Sequence, residues 1–177
     1  MLKNKLDDVL RKRFINILKA DILADGFDLP DKFSNAEGVS IPELSMYQLA
    51  QSEMHGIDPQ LSFNRVMIRF VGGDKMVNLI HTVNKIFPSA LPKLFLKSFP
   101  ALFHWLVGDI SVLSESEGKV LSCRYLREGG ETACMQTCKK PTEAYFKEVL
   151  GIDLKLNPNF NTSTCDICCK RVSKNNS

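Results

Sequence analysis

The sequence predicts an α+β protein in which a helical N-terminal part packs on a small antiparallel sheet followed by a cysteine-rich C-terminal region. Three observations carry this. Up to about Val107 apolar residues recur at helical spacing between start and stop signals; beyond Gly108 short β-favouring runs alternate with turns. Composition supplies the third: 177 residues, 44% apolar and 24% charged, suit one folded domain with a core of ordinary size.

Leu6, Leu10, Phe14, Ile17, Leu18 and Ile22 mark one face of a first helix over about Leu6 to Leu23, stopped at Gly26. Residues 25–41, rich in Gly, Asp, Asn and Pro, read as a loop. Ser40 with Glu43 three residues on forms a capping-box pair and opens a second helix that reaches about His55. Asp58-Pro59 opens a third, because the acid caps and proline lacks only an N–H that a first turn leaves unused. Gly72-Gly73 ends it. Asp74 is expected to cap a fourth helix with Met76, Val77, Ile80, Val83 and Phe87 inward, closed by Pro88. A fifth, about Leu91 to Val107, is expected to bend near Pro100.

After Gly108, Ile110 to Leu113 and Val120 to Leu126 read as a hairpin around a polar turn holding Glu115, Glu117 and Gly118. Gly129-Gly130 precedes a helix and reads as a turn rather than as an anion-binding loop, since the surrounding glycine fingerprint is missing. That helix runs from about Glu131, restarts at Pro141-Thr142-Glu143 and ends at Gly151. Ile152 to Leu156 alternates as a third strand. The expected organisation is an N-terminal helix and loop over 1–43, a main domain over 44–169 and a polar tail over 170–177.

A formal charge of +3 gives no case for nucleic acid, and Lys170, Arg171 and Lys174 read as a solvated basic tail. The most hydrophobic stretch, Ile86 to Gly108, is interrupted by Lys93, Lys97, Pro88, Pro92 and Pro100. It therefore reads not as a transmembrane span but as a buried helix or a face that touches lipid without crossing it. The N-terminus reaches Asp7-Asp8 too soon for a secretory signal and shows no clear targeting peptide, so the expected location is the cytoplasm or an organelle matrix, with reduced thiols.

All six cysteines lie in the last third: Cys123, Cys134, Cys138, Cys165, Cys168 and Cys169. Cys134 and Cys138, four apart on a helix, leave one face and can share a metal; Cys123 and Cys165 join them only through the fold. Four soft thiolates suit iron, as an iron–sulfur cluster or non-haem iron, with zinc as the alternative. The competing reading is buried thiols acting as small hydrophobes. Cys168 and Cys169 fit a shared ion less well. His55, His81 and His104 are available to complete a mixed site, though each reads more readily as a structural or surface imidazole. Arg124, Tyr125 and Glu143 lie near the thiols in sequence and are the candidates to orient a substrate or move a proton. No serine–histidine–acid set points to covalent hydrolysis. Phe95, Phe99, Phe103, Trp105 and Leu106 mark either core or a greasy cleft.

Trp105-Leu106-Val107-Gly108, Cys123-Arg124-Tyr125-Leu126, Ala133-Cys134-Met135-Gln136-Thr137-Cys138-Lys139, Pro141-Thr142-Glu143-Ala144-Tyr145-Phe146, Leu150-Gly151 and Pro158-Asn159-Phe160 together resemble the C-terminal domain of the plastid beta-carotene isomerase family that opens strigolactone synthesis. The agreement runs over about Phe99 to Cys165. It implies an iron-containing isomerase interconverting all-trans and 9-cis forms of a carotenoid-like polyene, with Cys123, Cys134, Cys138 and Cys165 as the matched cysteines. Residues before about Leu44 show no match, no counterpart of the plant targeting extension is seen, and the cysteine-rich tail of those proteins has only a short counterpart. Cys168 and Cys169 stand where plant members carry apolar or glycine residues. A fainter likeness, through Cys134-x-x-x-Cys138 and Cys165-Asp166, is to thiazoline-carboxylate hydrolase-like and vinyl-reductase-like domains. The rival to an isomerase is a non-catalytic iron–sulfur or zinc module binding a hydrophobic ligand or a partner protein.

Overall fold

The computed structural model describes residues 2–34, 38–87 and 90–171, so the expected stop at Pro88 and the tail beyond Arg171, Lys174 included, lie outside the described residues. Five helices come first: α1 (Leu2–Ala24), α2 (Ile41–Met54), α3 (Pro59–Val71), α4 (Asp74–Ile86) and α5 (Ala90–Val107), with a single 3-10 turn at Asp31–Phe33. Then follow β1 (Ile110–Val112), β2 (Glu117–Val120), α6 (Arg124–Ala133), a widened π turn at Cys134–Lys139, α7 (Lys140–Glu148), β3 (Ile152–Asn159) and β4 (Thr164–Arg171). This is the α+β arrangement expected.

The caps act largely as the residues dictate. Ser40 Oγ accepts the Glu43 N–H at 3.4 Å, while the Glu43 carboxylate pairs with Lys32 at 3.8 Å. Asp58 Oδ1 accepts the Gln60 N–H at 2.9 Å and caps α3. At α4 the expectation fails: Gly73 holds the cap position at φ 82°, and Asp74 is the first helical residue. Pro100 lies inside α5.

The larger correction concerns residues 121–126, expected as strand. Strand β2 stops at Val120, and Cys123 holds the cap position of α6, which buries Tyr125 and Leu126 together. Their β propensity yields to packing, because a helix turns both side chains into the core where a strand would point them to opposite faces. Gly129 and Gly130 sit inside this segment. Gly130, at φ 73° and ψ −172°, interrupts the helix, and a Cβ on Gly129 would lie 2.4 Å from Pro42 Cβ, so α2 and α6 meet at a distance only glycine permits.

The sheet has the order β1-β2-β4-β3, antiparallel throughout. Strand β4, absent from the expected elements, lies in its interior, with Cys165 opposite both Val120 and Pro158 and Ile167 opposite Gly118 and Leu156. It includes Lys170 and Arg171, opposite Asp153 and Ile152, so these two belong to the sheet and not to a tail. Ile152, Leu154 and Leu156 of β3 and Cys165, Ile167 and Cys169 of β4 face inward. The core joins this face to α1, α3 and α5 through Phe14, Phe70 and Trp105, whose rings lie 5.3 to 5.4 Å apart.

One buried charge locks the helical part. Asp21 of α1 is fully buried and receives Arg65 Nε and Nη2 at 3.0 Å each, Gln48 Nε2 at 3.0 Å and Arg69 Nη1 at 3.3 Å. Arg65 Nη2 also reaches Asp25 at 2.5 Å. Four donors on one carboxylate satisfy its lone pairs and tie α1 to α2 and α3.

Candidate functional site

A cavity of about 330 Å³ lies where the helical part meets the sheet. Phe14 and Leu18 of α1, Phe63, Val66, Met67 and Phe70 of α3, and Phe99, Phe103, Trp105 and Leu106 of α5 supply apolar lining. Helix α2 contributes Ile41, Ser45, Gln48, Leu49 and Ser52, spaced to share one face. The remaining lining holds Cys123, Cys134, Cys138 and Cys165, with Tyr125, Thr137 and Lys139. Of the expected aromatic stripe, Phe95 alone lies behind the lining, against Phe99 at 5.3 Å and Phe146 at 4.6 Å.

The four thiols reach the cavity from separate elements. Cys123 ends the link from β2 to α6, Cys134 and Cys138 stand on the π turn, and Cys165 is the second residue of β4 on its core face. In the π turn, Thr137 Oγ1 donates to the Ala133 carbonyl at 2.8 Å, so the Tyr125 hydroxyl donates to Thr137 Oγ1 at 2.6 Å. This chain of bonds satisfies backbone loosened by the wider turn and fixes the cysteine-bearing segment against α6.

Burial pushes all four thiols up, Cys134 to about 11 and Cys165 to about 12. After burial, the next cause is mutual: Cys123 raises Cys134, Cys123 and Cys134 raise Cys165, and Cys134, Cys123 and Cys165 raise Cys138. Such repulsion requires sulfurs near one another, and a cation among them would relieve it. Backbone N–H groups of Leu126 and Tyr125 act the other way on Cys123, and Lys139 on Cys134 and Cys165. Among the described residues no three His, Cys, Asp or Glu side chains already stand close enough to grip one ion.

Cys168 and Cys169 stay apart from this group. Cys168 is on the opposite sheet face from Cys165, and Cys169, opposite Leu154, is buried farther along β4. None of His55, His81 and His104 lines the cavity. His104 sits between Asp7 at 2.6 Å and Asp109 at 3.0 Å, and His55 packs on Phe27.

Of the three candidates for substrate or proton handling, only Tyr125 faces the cavity. Burial raises its pKa strongly, so it serves as a neutral hydrogen-bond donor. Arg124 Nη1 donates to the Trp105 carbonyl at 3.0 Å, near the end of α5. Glu143 Oε1 accepts the Leu156 N–H and Lys139 Nζ, each at 2.7 Å, while Lys139 also donates to the Leu156 carbonyl, which clamps α7 to β3. Sequence reasoning passed over Lys139, although its place beside Cys138 and four residues before Glu143 was a readable ion-pair spacing. It also passed over Ser45, Gln48 and Ser52, which carry no local signal beyond an unusually polar helix face.

A family model described as "Beta-carotene isomerase D27-like, C-terminal" matches residues 105–176. The chain is 29% identical over 90 residues to the protein named "Beta-carotene isomerase D27, chloroplastic" of Medicago truncatula, a match covering 45% of this chain and 36% of that protein. The chain thus spans little more than a third of that relative. No solved structure matches. Among the described residues no helix is long and apolar enough to cross a membrane. All four cavity cysteines fall within residues 105–176, which form a D27-like C-terminal domain, and the chain is a distant homologue of the chloroplastic beta-carotene isomerase D27.

Proposed function

We propose that this protein is an iron-dependent isomerase that interconverts all-trans and 9-cis forms of a carotenoid or related polyene. The observation that supports it is a single cavity whose lining passes from stacked aromatic side chains to four cysteines. The donor set fits iron chemically: four soft sulfurs around one space, each able to swing about one χ1 torsion. Cys123, Cys134, Cys138 and Cys165 would hold it, as a cluster or a non-haem ion. When bound, iron supplies reversible one-electron or Lewis-acid chemistry that weakens π order in a neighbouring double bond.

The rest is the work of this chain. Phe99, Phe103, Trp105 and Phe70 give a polyene the apolar contact it needs and keep water from it. Isomerisation neither adds nor removes a proton, so a site in which Tyr125 stays neutral and Arg124 and Glu143 are committed to backbone groups lacks nothing the reaction requires. The test is incubation of iron-loaded protein with all-trans and with 9-cis carotenoid, followed by separation of isomers. Interconversion in both directions is expected; bound but unchanged carotenoid would sink the isomerase reading.

The non-catalytic reading draws on the same commitment of Arg124 and Glu143, and Lys139 beside the thiols is likewise engaged, with Glu143 and the Leu156 carbonyl. Anaerobically purified protein separates the two. Brown protein that bleaches with reductant supports a cluster, and colourless protein holding stoichiometric zinc supports a structural module.

A further inference from the structure

Helix α4 carries far more apolar surface than it buries. Of its residues only Val77 is buried, and Asn84 turns toward the body of the protein, where its Nδ2 approaches the Leu150 and Gly151 carbonyls at 3.4 and 3.5 Å. At about 100° per residue, Val77, Ile80 and Asn84 make one side, and Met76, Leu79, Val83 and Ile86 make a second stripe beside it. Apart from Val83, which packs partly against the core, that second stripe is open: Met76 is 40% exposed, Leu79 55% and Ile86 62%, and Phe87 follows at 60%. Leu94 on α5 adds another side chain at 62%. An isolated exposed leucine needs no explanation, but a stripe of this length along one helix does.

The charge around it has one sign. Residues 74–107 hold four lysines, Lys75, Lys85, Lys93 and Lys97, against one acid, Asp74, a net +3 equal to that of the whole chain. Glu115 reaches this surface, pairing with Lys93 at 2.5 Å, and still leaves it positive. A second copy of the same surface would repel this charge. An anionic surface with an apolar interior matches both features, since lysines meet headgroups while leucine and isoleucine enter the acyl boundary.

We propose that α4 and the start of α5 form a docking surface for an anionic lipid bilayer, on which the protein lies without spanning it. The proposal stands apart from the isomerase reading, because vesicles free of any pigment test it. The experiment is flotation of the full chain with phosphatidylcholine vesicles, with and without phosphatidylglycerol. The protein is expected to float with anionic vesicles and to be released by salt. Lys75→Gln with Lys85→Gln should weaken this by on the order of thirtyfold, since each lysine near an anionic surface contributes roughly fivefold. Leu79→Glu with Ile86→Glu should abolish it; both sites are exposed, and circular dichroism checks that the helices persist. Leu61→Glu, at an exposed leucine on α3, should leave flotation unchanged. Absence of flotation by the parent protein, or an equal loss in Leu61→Glu, would overturn the proposal. So would a dimer that Leu79→Glu with Ile86→Glu converts to monomer while vesicles bind neither form.

Discussion

Tyr145 offers a quantitative check on the core. The residue is fully buried on α7 between Phe146, at 5.7 Å, and Phe63, at 6.3 Å, and its hydroxyl has no hydrogen-bond partner among the described residues. Burial pushes its pKa from 10.0 to about 12. Two consequences follow for Tyr145→Phe. At pH 7 the variant discards an unsatisfied polar group and keeps the ring, so it should be more stable by about 1 kcal/mol, a rise of about 2–4 °C in Tm. At alkaline pH the unfolded chain ionises this tyrosine near 10 while the folded chain resists until about 12. The folded pKa is raised, so the stability tied to the neutral phenol is full below pH 10 and is lost as pH climbs toward 12. Two units correspond to about 2.7 kcal/mol, which the phenylalanine variant does not lose. Urea unfolding followed by the fluorescence of Trp105, the lone tryptophan, at pH 7, 9, 10 and 11 measures both, with other alkaline losses common to the two proteins. A variant less stable at pH 7, with a gap that does not widen above pH 10, would show that the hydroxyl is bonded after all and refute the reasoning.

Asp21→Ala should cost about 3 kcal/mol, the low end for breaking a buried pair because Arg65 and Arg69 retain access to water, and calorimetry should show Tm falling by roughly 6–12 °C. Gly129→Ala forces a Cβ to within 2.4 Å of Pro42 and 2.8 Å of Ala133, and should destabilise by about 2–3 kcal/mol; adding Pro42→Gly should recover part of the loss, whereas additive effects would mean the two residues do not touch. Cys134→Ala with Cys138→Ala should abolish stoichiometric iron binding while Cys168→Ala, on the other sheet face, leaves it intact; equal loss in both, measured by metal analysis with circular dichroism as the folding control, would remove the four-cysteine assignment.

The helical half of the fold was legible because its punctuation is local. Ser40, Asp58-Pro59 and Gly72-Gly73 act within one turn of themselves, and they place α2 and α3 to within a residue or two. Reading failed where the deciding partner is remote. Tyr125 and Leu126 look like strand until the core they share is known, and Asp21 looks like a surface acid until Arg65, 44 residues away, is placed on it. Strand β4 was a different failure. Cys165, Ile167 and Cys169 alternate inward with Asp166 outward, a readable period of two, but the cysteines drew attention to their chemistry and away from their spacing. The grouping of Cys123, Cys134, Cys138 and Cys165 was expected from the four-residue spacing of Cys134 and Cys138, the chemistry of soft donors and the family resemblance. The π turn that carries two of them leaves no mark in the sequence, since i and i+4 share a face in either winding.

The cavity itself divides along the line of the family match. Every cysteine it holds, together with Tyr125, Thr137 and Lys139, lies within residues 105–176, while Phe14, Leu18, the polar face of α2 and the apolar face of α3 lie ahead of it. Lining from the matched segment alone would leave the thiols facing a surface with one side missing, because Phe70 and Phe14 close the space against Trp105. The segment matched by the family model thus supplies the sulfur-bearing end of the cavity, and helices ahead of it supply much of the apolar wall. Under the proposed function, two proteins with the same four cysteines would differ in the ligand they accept through α1, α2 and α3. Exchanging those helices would change which ligand binds while leaving the sulfur set untouched.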